Sequence, residues 1–440
     1  MKLKENAFRI LNEAIDAVKP NKLLKNHVYL KGNTLVIKED GFDLSKYQNV
    51  YVIGAGKASA FMAQSLEKIL GERVVDGAVV VKYNHGAPCK NIQIFEGGHP
   101  IIDEKGLSGT QAILDILDKT TSNDLVICLI SGGGSALLEK LPSNITLRDL
   151  QETSKLLLEC GAAIEEINTV RKHLSEVKGG QLAGRIFPST GISLIISDVI
   201  GDPLESIASG PTNADTTTFK DAWGIIEKYR LQEKMPQKVT SHLQFGIQGK
   251  VNETLKPGDP ALNNISNIIL GNNLLSLKSA EDVAKNLGYN TQILSSRIQG
   301  EAREVAKVIS GIVQEIMETN LPVQRPACLL LGGETTVTIR GEGKGGRNQE
   351  LALASLIAMK NSTFPYFIIS CGTDGTDGPT DAAGGFASPE ILQSAQNLNL
   401  KPQQFLDQND SYNFLEKVDA LINTGPTGTN VMDIVFALIP

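Results

Sequence analysis

A chain of 440 residues exceeds what one ordinary core organises, so two or three domains are expected. Its 41% hydrophobic and 21% charged content is that of an ordinary globular protein, and a net charge of −7 without a basic run argues against a nucleic-acid-binding face. The five cysteines, Cys89, Cys128, Cys160, Cys328 and Cys371, form no CxxC pair, which speaks against a disulfide framework or a zinc site and for a reducing compartment.

The chain opens on MKLKENAFRILNEAIDAVKP, where Phe8, Leu11, Ile15 and Val18 fall at helical spacing and predict an amphipathic helix. That stretch lacks the apolar core of a signal peptide, and no run approaches the ~18 uncharged apolar residues of a membrane span, so a cytoplasmic protein with no membrane partner is expected. Short apolar runs then recur, each ending in a glycine-rich turn: NVYVIGAGKAS, DGAVVVKYNHG, LVICLISGGGS, GISLIISDVIGD, NIILGNN, ACLLLGGE and YFIISCGTDG. Their length and β-branched content suit strands buried on both faces. Helical patterns such as AFMAQSLEKIL, GTQAILDILDK and SLKSAEDVAKNLG lie between several of them. The alternation predicts an α/β fold of two domains, each a largely parallel sheet with flanking helices. The polar stretch from about Thr212 to Pro260 marks the boundary, giving a Rossmann-like N-terminal domain over 1–240 and a C-terminal α/β domain over 241–440.

Five turns carry chemistry. GAGKAS, with Gly54, Gly56 and Lys57, follows a strand and opens a helix, where a lysine beside free N–H groups makes an anion site. Read as a dinucleotide fingerprint it lacks the acid at the end of the second strand, since Asp76 precedes its strand. SGGGS exposes a row of backbone N–H groups at Gly132, Gly133 and Gly134 between the hydroxyls of Ser131 and Ser135, which suits a carboxylate or phosphate. Asp198 and Asp374 stand at strand ends, where carboxylates facing a phosphate site are natural Mg²⁺ ligands. GEGKGGRNQE places Gly341, Gly343, Gly345 and Gly346 with Lys344 in a glycine cradle that follows an expected strand, TTVTI, and ends in Arg347, a planar fork suited to phosphate oxygens. NTVRKHLSEVKGG, with Arg171, Lys172, His173 and Lys178, reads equally as a charged solvated helix. His99 and His173 lie near glycine-rich or basic segments, but neither is taken as a base.

Together GAGKAS, GGHP, LISGGGSALL, NTVRKHLSEVKGG, SDVIGDPLESIASGPT, GGETTVTIRGEGKGGRNQELALA, GTDGTDGPTDAAGG and NTGPTGTNVMD make the chain resemble, over nearly its whole length, the glycerate 2-kinase family. The C-terminal part of that family is known as the MOFRL domain, here at about 325–435. The resemblance implies two α/β domains with the active site in the inter-domain cleft, and ATP-dependent conversion of D-glycerate to 2-phosphoglycerate with Mg²⁺. The family's proposed catalytic lysine and arginine match Lys57 and Arg347. On that reading the Ser131–Ser135 loop with Arg171 and Lys172 holds the glycerate carboxylate. A homodimer stays open. The rivals are an NAD(P)-dependent hydroxypyruvate reductase, a label that family members often carry, a kinase forming 3-phosphoglycerate, and a non-catalytic binder.

Overall fold

The computed structural model describes residues 2–440, which form two compact units. One comprises residues 23–197 and 202–270; the other comprises residues 2–22, 198–201 and 271–440. The division therefore falls at 270/271 and not at the expected residue 240, and the first helix belongs with the C-terminal residues. The polar stretch after Thr212 is not a linker. Its helices Phe219–Lys228 and Gln237–Ile247 pack with Leu147–Glu159 and Ile164–Lys172 around Leu150, Leu157, Ile167, Phe219, Ile226 and Leu243.

The first unit carries a small antiparallel sheet, β1 (Val28–Lys31), β2 (Thr34–Ile37) and β3 (Asp40–Asp43). Its main sheet contains β4 (Asn49–Ala55), β5 (Val74–Lys82), β6 (Gln93–Gly97), β7 (Asp124–Ile130), β8 (Thr190–Ile196) and β9 (Ile265–Gly271). The order is β6-β5-β4-β7-β8-β9, with parallel pairing across β6-β5-β4-β7-β8. In sequence terms this is 3-2-1-4-5-6, a doubly wound order whose direction of winding reverses between β4 and β7. Every residue of β7 is buried, as its uninterrupted apolar run requires.

The second unit is built on β10 (Asn290–Ile298), β11 (Ala327–Gly333), β12 (Phe367–Gly372), β13 (Gly384–Ala387), β14 (Leu421–Ile422) and β15 (Asp433–Ile439), ordered β10-β11-β15-β12-β13-β14. This sheet is mixed and not largely parallel: β10 and β11 are parallel, and every other neighbouring pair is antiparallel. The cause lies in the last strand. β10, β11 and β12 run in one direction, as helical crossovers demand, and β15 inserts antiparallel between β11 and β12. The expected TTVTI strand is absent. Only Thr336 forms a bridge, to Glu301, and Ile339 is 81% exposed. The first helix, Lys2–Ala17, buries Ile10, Leu11 and Ile15 in this unit's core, each such side chain contributing about 1.5–3 kcal/mol of transfer free energy. Phe8 lies at the edge of that face against Phe367 and Phe386. Among the described residues no helix is long and apolar enough to cross a membrane.

Candidate active site

In the first unit the turns after β4 and β7 flank the reversal point of the sheet, where doubly wound sheets place ligands. They are built against each other. Gly56 has φ +135° and a Cβ there would lie 2.3 Å from Ser131 Oγ; at Gly54 it would lie 2.3 Å from the Leu129 carbonyl oxygen. Only glycine permits so close an approach. The Gly56 N–H donates to the Val80 carbonyl, Lys57 N–H to the Gly132 carbonyl at 2.8 Å, and Ala58 N–H to Ser131 Oγ at 3.0 Å. The first N–H groups of this turn are thus engaged internally and not open to an anion. Ser131, 1% exposed, also meets the Ser59 hydroxyl at 3.0 Å. Its side chain fastens the two turns together instead of facing outward. The N–H groups of Gly132 and Gly133 take no part in these bonds. Ser135 Oγ lies 2.9 Å from Ser209 Oγ, and a Cβ at Gly134 would lie 2.7 Å from Ala208.

Lys57 stands beside this loop with a neighbour that sequence reasoning set aside. A Cβ at Gly133 would lie 2.9 Å from both Cδ2 and Nε2 of His99 and 3.4 Å from Lys57 Cγ. Three strand-end segments therefore bring Lys57, Gly133 and His99 to one point. Burial, then the positive charges of Lys57, Lys82 and His85, push the His99 imidazole down to about 4.

The basic segment is neither a solvated helix nor wholly available to substrate. Lys172 is buried and pairs with Asp215 at 2.6 Å, and that carboxylate also accepts from Thr217 and Thr254. Lys178 pairs with Glu139 at 2.8 Å, both side chains fully buried. His173 lies 2.9 Å from Glu253. Arg171 donates from Nη2 to the Ser135 carbonyl at 2.9 Å, so it supports the glycine loop from behind, and burial lowers its pKa. Matching a buried basic segment to carboxylates at positions 139, 215 and 253 lay beyond sequence inspection, because the partners are distant in the chain.

In the second unit Arg347 begins the helix Arg347–Ala358, beside the ends of β11 and β12 and the start of β15. Nε and Nη2 donate to the Asp433 carboxylate at 2.5 and 2.9 Å, and Nη1 lies 3.1 Å from Glu334. Burial alone would lower the Arg347 pKa, but Asp433 and Glu334 outweigh it and hold it above the ordinary value. Burial raises Glu334 and Asp433, and further carboxylates add to the rise: Asp433, Asp198 and Asp374 for Glu334, and Asp374 for Asp433. Asp374 Oδ1 accepts from Thr376 N–H and Oγ1, and Asp198 accepts from Asn430 at 3.4 Å. The strand-end aspartates expected from sequence are thus gathered near Arg347. Asp433 and Glu334 were missed, although Asp433 opens the apolar run IVFALI just as the other strand-end acids close theirs.

The 341–346 loop has a packing reason for its glycines. A Cβ at Gly341 or Gly343 would lie 2.5 Å from Gln408 backbone atoms, at Gly345 2.2 Å from Ser411 Oγ, and at Gly346 2.3 Å from the Asp377 carboxyl carbon. Lys344 is exposed over the Tyr412 ring, 3.8 Å from its centroid. The helix N-terminus behind this loop already holds a carboxylate: Asp377 accepts from the Asn348 and Gln349 N–H groups at 3.2 and 2.9 Å. Burial pushes Asp377 up to about 6 against these bonds. Among the described residues no group of three or more His, Cys, Asp or Glu side chains is arranged to hold a metal ion.

Two family models match the chain: a domain of unknown function (DUF4147) over residues 6–244 and the MOFRL family over residues 327–433. A glycerate 2-kinase of Pyrococcus horikoshii is 45% identical over 440 residues, covering 100% of this chain and 98% of the relative. A crystal structure of glycerate kinase from Thermotoga maritima, 39% identical, matches with a TM-score of 0.89 and covers 100% of both chains. A putative hydroxypyruvate reductase of Agrobacterium vitis is 40% identical over 390 residues, or 88% of this chain and 86% of the relative. Fold, strand-end loops and likeness together define an α/β enzyme of the phosphotransferase class. The chain belongs to the glycerate kinase family, with its MOFRL region in the second unit.

Proposed function

We propose that this protein phosphorylates D-glycerate at the 2-hydroxyl, using ATP and releasing 2-phosphoglycerate and ADP. The observation that carries the reading is the full-length likeness to the Pyrococcus glycerate 2-kinase. Phosphoryl transfer asks a protein for positioning and charge neutralisation more than for covalent chemistry. Lys57 and Arg347 stabilise the charge that spreads over the transferred group. The Nε/Nη2 edge of Arg347 is committed to Asp433, so the phosphoryl group meets Nη1 in place of the half-exposed Glu334. In this reading the 341–346 loop places Arg347 and does not itself wrap the phosphates. The unused N–H groups of Gly132 and Gly133 take the glycerate carboxylate, and Arg171 holds the loop in shape.

Asp198 and Asp374 are the side chains that would hold a magnesium ion. They are hard oxygen donors in a region where one guanidinium faces several carboxylates, and Mg²⁺ bound with phosphates takes only one or two carboxylates. When bound, the ion neutralises phosphate charge. The reductase alternative finds no support at β5: Lys82 stands at the strand's end, where a ribose-binding acid would be needed.

The test is incubation with D-glycerate and MgATP, reading ADP directly and product through enolase with phosphoglycerate mutase omitted. Enolase-competent product is expected. Product visible to enolase only after mutase is added would assign the 3-position, and absence of ADP would discard glycerate.

A further inference from the structure

The geometry points to His99 as a further catalytic residue, whose Nε2 accepts a hydrogen bond from the attacking hydroxyl of the acceptor substrate. This inference rests on the kinase reading above and adds to it a group that touches the reacting oxygen.

The ring is held against the glycine loop by close packing. It follows β6 and stands on the glycine loop, with its Nε2–Cδ2 edge where a side chain of Gly133 would be. Gly133 has φ +83°, so the loop excludes a side chain twice over, by conformation and by the space the imidazole fills. The same point lies 3.4 Å from Lys57 Cγ. The proposed carboxylate-binding N–H groups, the proposed phosphoryl-stabilising lysine and the imidazole edge are therefore neighbours within one unit. A small hydroxy acid held by its carboxylate on Gly132 and Gly133 presents its adjacent hydroxyl within reach of that edge.

The charge state agrees. The charged groups that face the imidazole are Lys57 from the turn after β4 and Lys82 and His85 from the end of β5, all basic. Burial first, and these neighbours after it, keep the ring neutral at neutral pH, so one nitrogen offers a lone pair. A base this weak does not strip the hydroxyl in advance. It orients the oxygen and takes the proton late, which suits a loose transition state. In the step, the substrate oxygen bonds to the γ-phosphorus of ATP while the bond from that phosphorus to the β,γ-bridging oxygen breaks. The electron pair leaves on ADP, and the hydroxyl proton passes to Nε2 and then to water.

The experiment compares wild type, His99→Ala, His99→Gln and His99→Asn as full-length chains, measuring kcat and KM for D-glycerate, the Kd of MgATP and the thermal transition. Glutamine sets its amide near Nε2 and asparagine near Nδ1. His99→Ala is expected to lose about a hundredfold or more in kcat. His99→Gln should recover at least about tenfold of that loss and His99→Asn should not, with MgATP affinity within about twofold of wild type throughout. Retention of kcat within about threefold in His99→Ala overturns the role, as does an equal loss in the glutamine and alanine variants. If wild type itself forms no phosphoglycerate, the kinase reading fails and the inference goes with it. An active wild type with an indifferent His99 overturns the inference alone.

Discussion

The orientation of Arg347 depends on Asp433, and Asp433→Asn removes the charge while nearly keeping the shape. The Asp433 side chain is 5% exposed and accepts two charge-assisted bonds, at 2.5 and 2.9 Å. Hydrogen bonds to charged groups contribute about 1.5–3 kcal/mol each, so the pair represents about 3–6 kcal/mol before desolvation is counted. Three features reduce the net loss. Asparagine keeps one acceptor, Arg347 is 32% exposed and can be partly rehydrated, and Glu334 remains 3.1 Å from Nη1. The expected destabilisation is therefore about 2–3 kcal/mol. Arg347→Met should cost less, because burial already raises the Asp433 pKa and the orphaned carboxyl can protonate. Urea unfolding of both single variants and the double variant gives the coupling directly, and about 2 kcal/mol is expected. The Asp433→Asn enzyme should also lose at least about tenfold in kcat, since the guanidinium no longer has a fixed plane. A coupling below about 0.5 kcal/mol, or an unchanged kcat, would refute the argument that this pair aims Arg347.

Ser131→Ala should cost about 1–2 kcal/mol of stability, because its hydroxyl accepts the Ala58 N–H. It should change the KM for glycerate by less than about threefold in steady-state assays, and a tenfold rise would restore Ser131 as a substrate ligand. Lys172→Met breaks a pair whose side chains are 7% and 0% exposed, so a loss of about 3–5 kcal/mol is expected in denaturant. A folded Lys172→Met variant of normal stability but raised KM would instead place Lys172 at the substrate. Asp377 has a folded pKa raised to about 6, above its value of 3.8 in the unfolded chain. Its contribution to stability is fully present below 3.8 and is lost as pH rises through about 6. Relative to Asp377→Asn, wild type should therefore weaken between pH 4 and 7, by about 3 kcal/mol at most. A difference that stays flat or grows in favour of wild type over that range contradicts the sign.

The strand framework was legible because a strand buried on both faces has no polar alternation to disguise it. All seven apolar runs became strands, β4, β5, β7, β8, β9, β11 and β12. What stayed hidden were relations between distant segments. The insertion of β15 between β11 and β12 depends on a pairing more than sixty residues apart, which no local pattern encodes. TTVTI has the composition of a strand but no partner strand, and Glu301 takes the Thr338 N–H and hydroxyl instead. In the proposed site, Lys57 and Arg347 are the residues that the turns themselves suggest. Lys172 was misjudged because a lysine's burial depends on Asp215, forty-three residues away. His99 was visible but uninformative until Gly133 was placed beside it.

The two glycine-rich segments show why glycine density alone does not identify a ligand loop. In 341–346 none of the glycines that meet Gln408, Asp410, Ser411 or Asp377 has a positive φ, and what each lacks room for is another part of the protein. That loop closes on its own unit and fixes the start of the helix carrying Arg347. Around SGGGS the constraint is of two kinds. Gly56 and Gly133 both have positive φ, and the space denied to a side chain is filled on one side by Ser131 and on the other by Lys57 and His99. On the proposed reading, a glycine whose missing side chain is replaced by an imidazole and a lysine stem serves the chemistry of a site. One whose place is taken by a neighbouring backbone serves the fold. Gly133→Ala should therefore displace His99 and Lys57 and lower kcat. Gly343→Ala should act through stability, by disturbing the loop that positions Arg347.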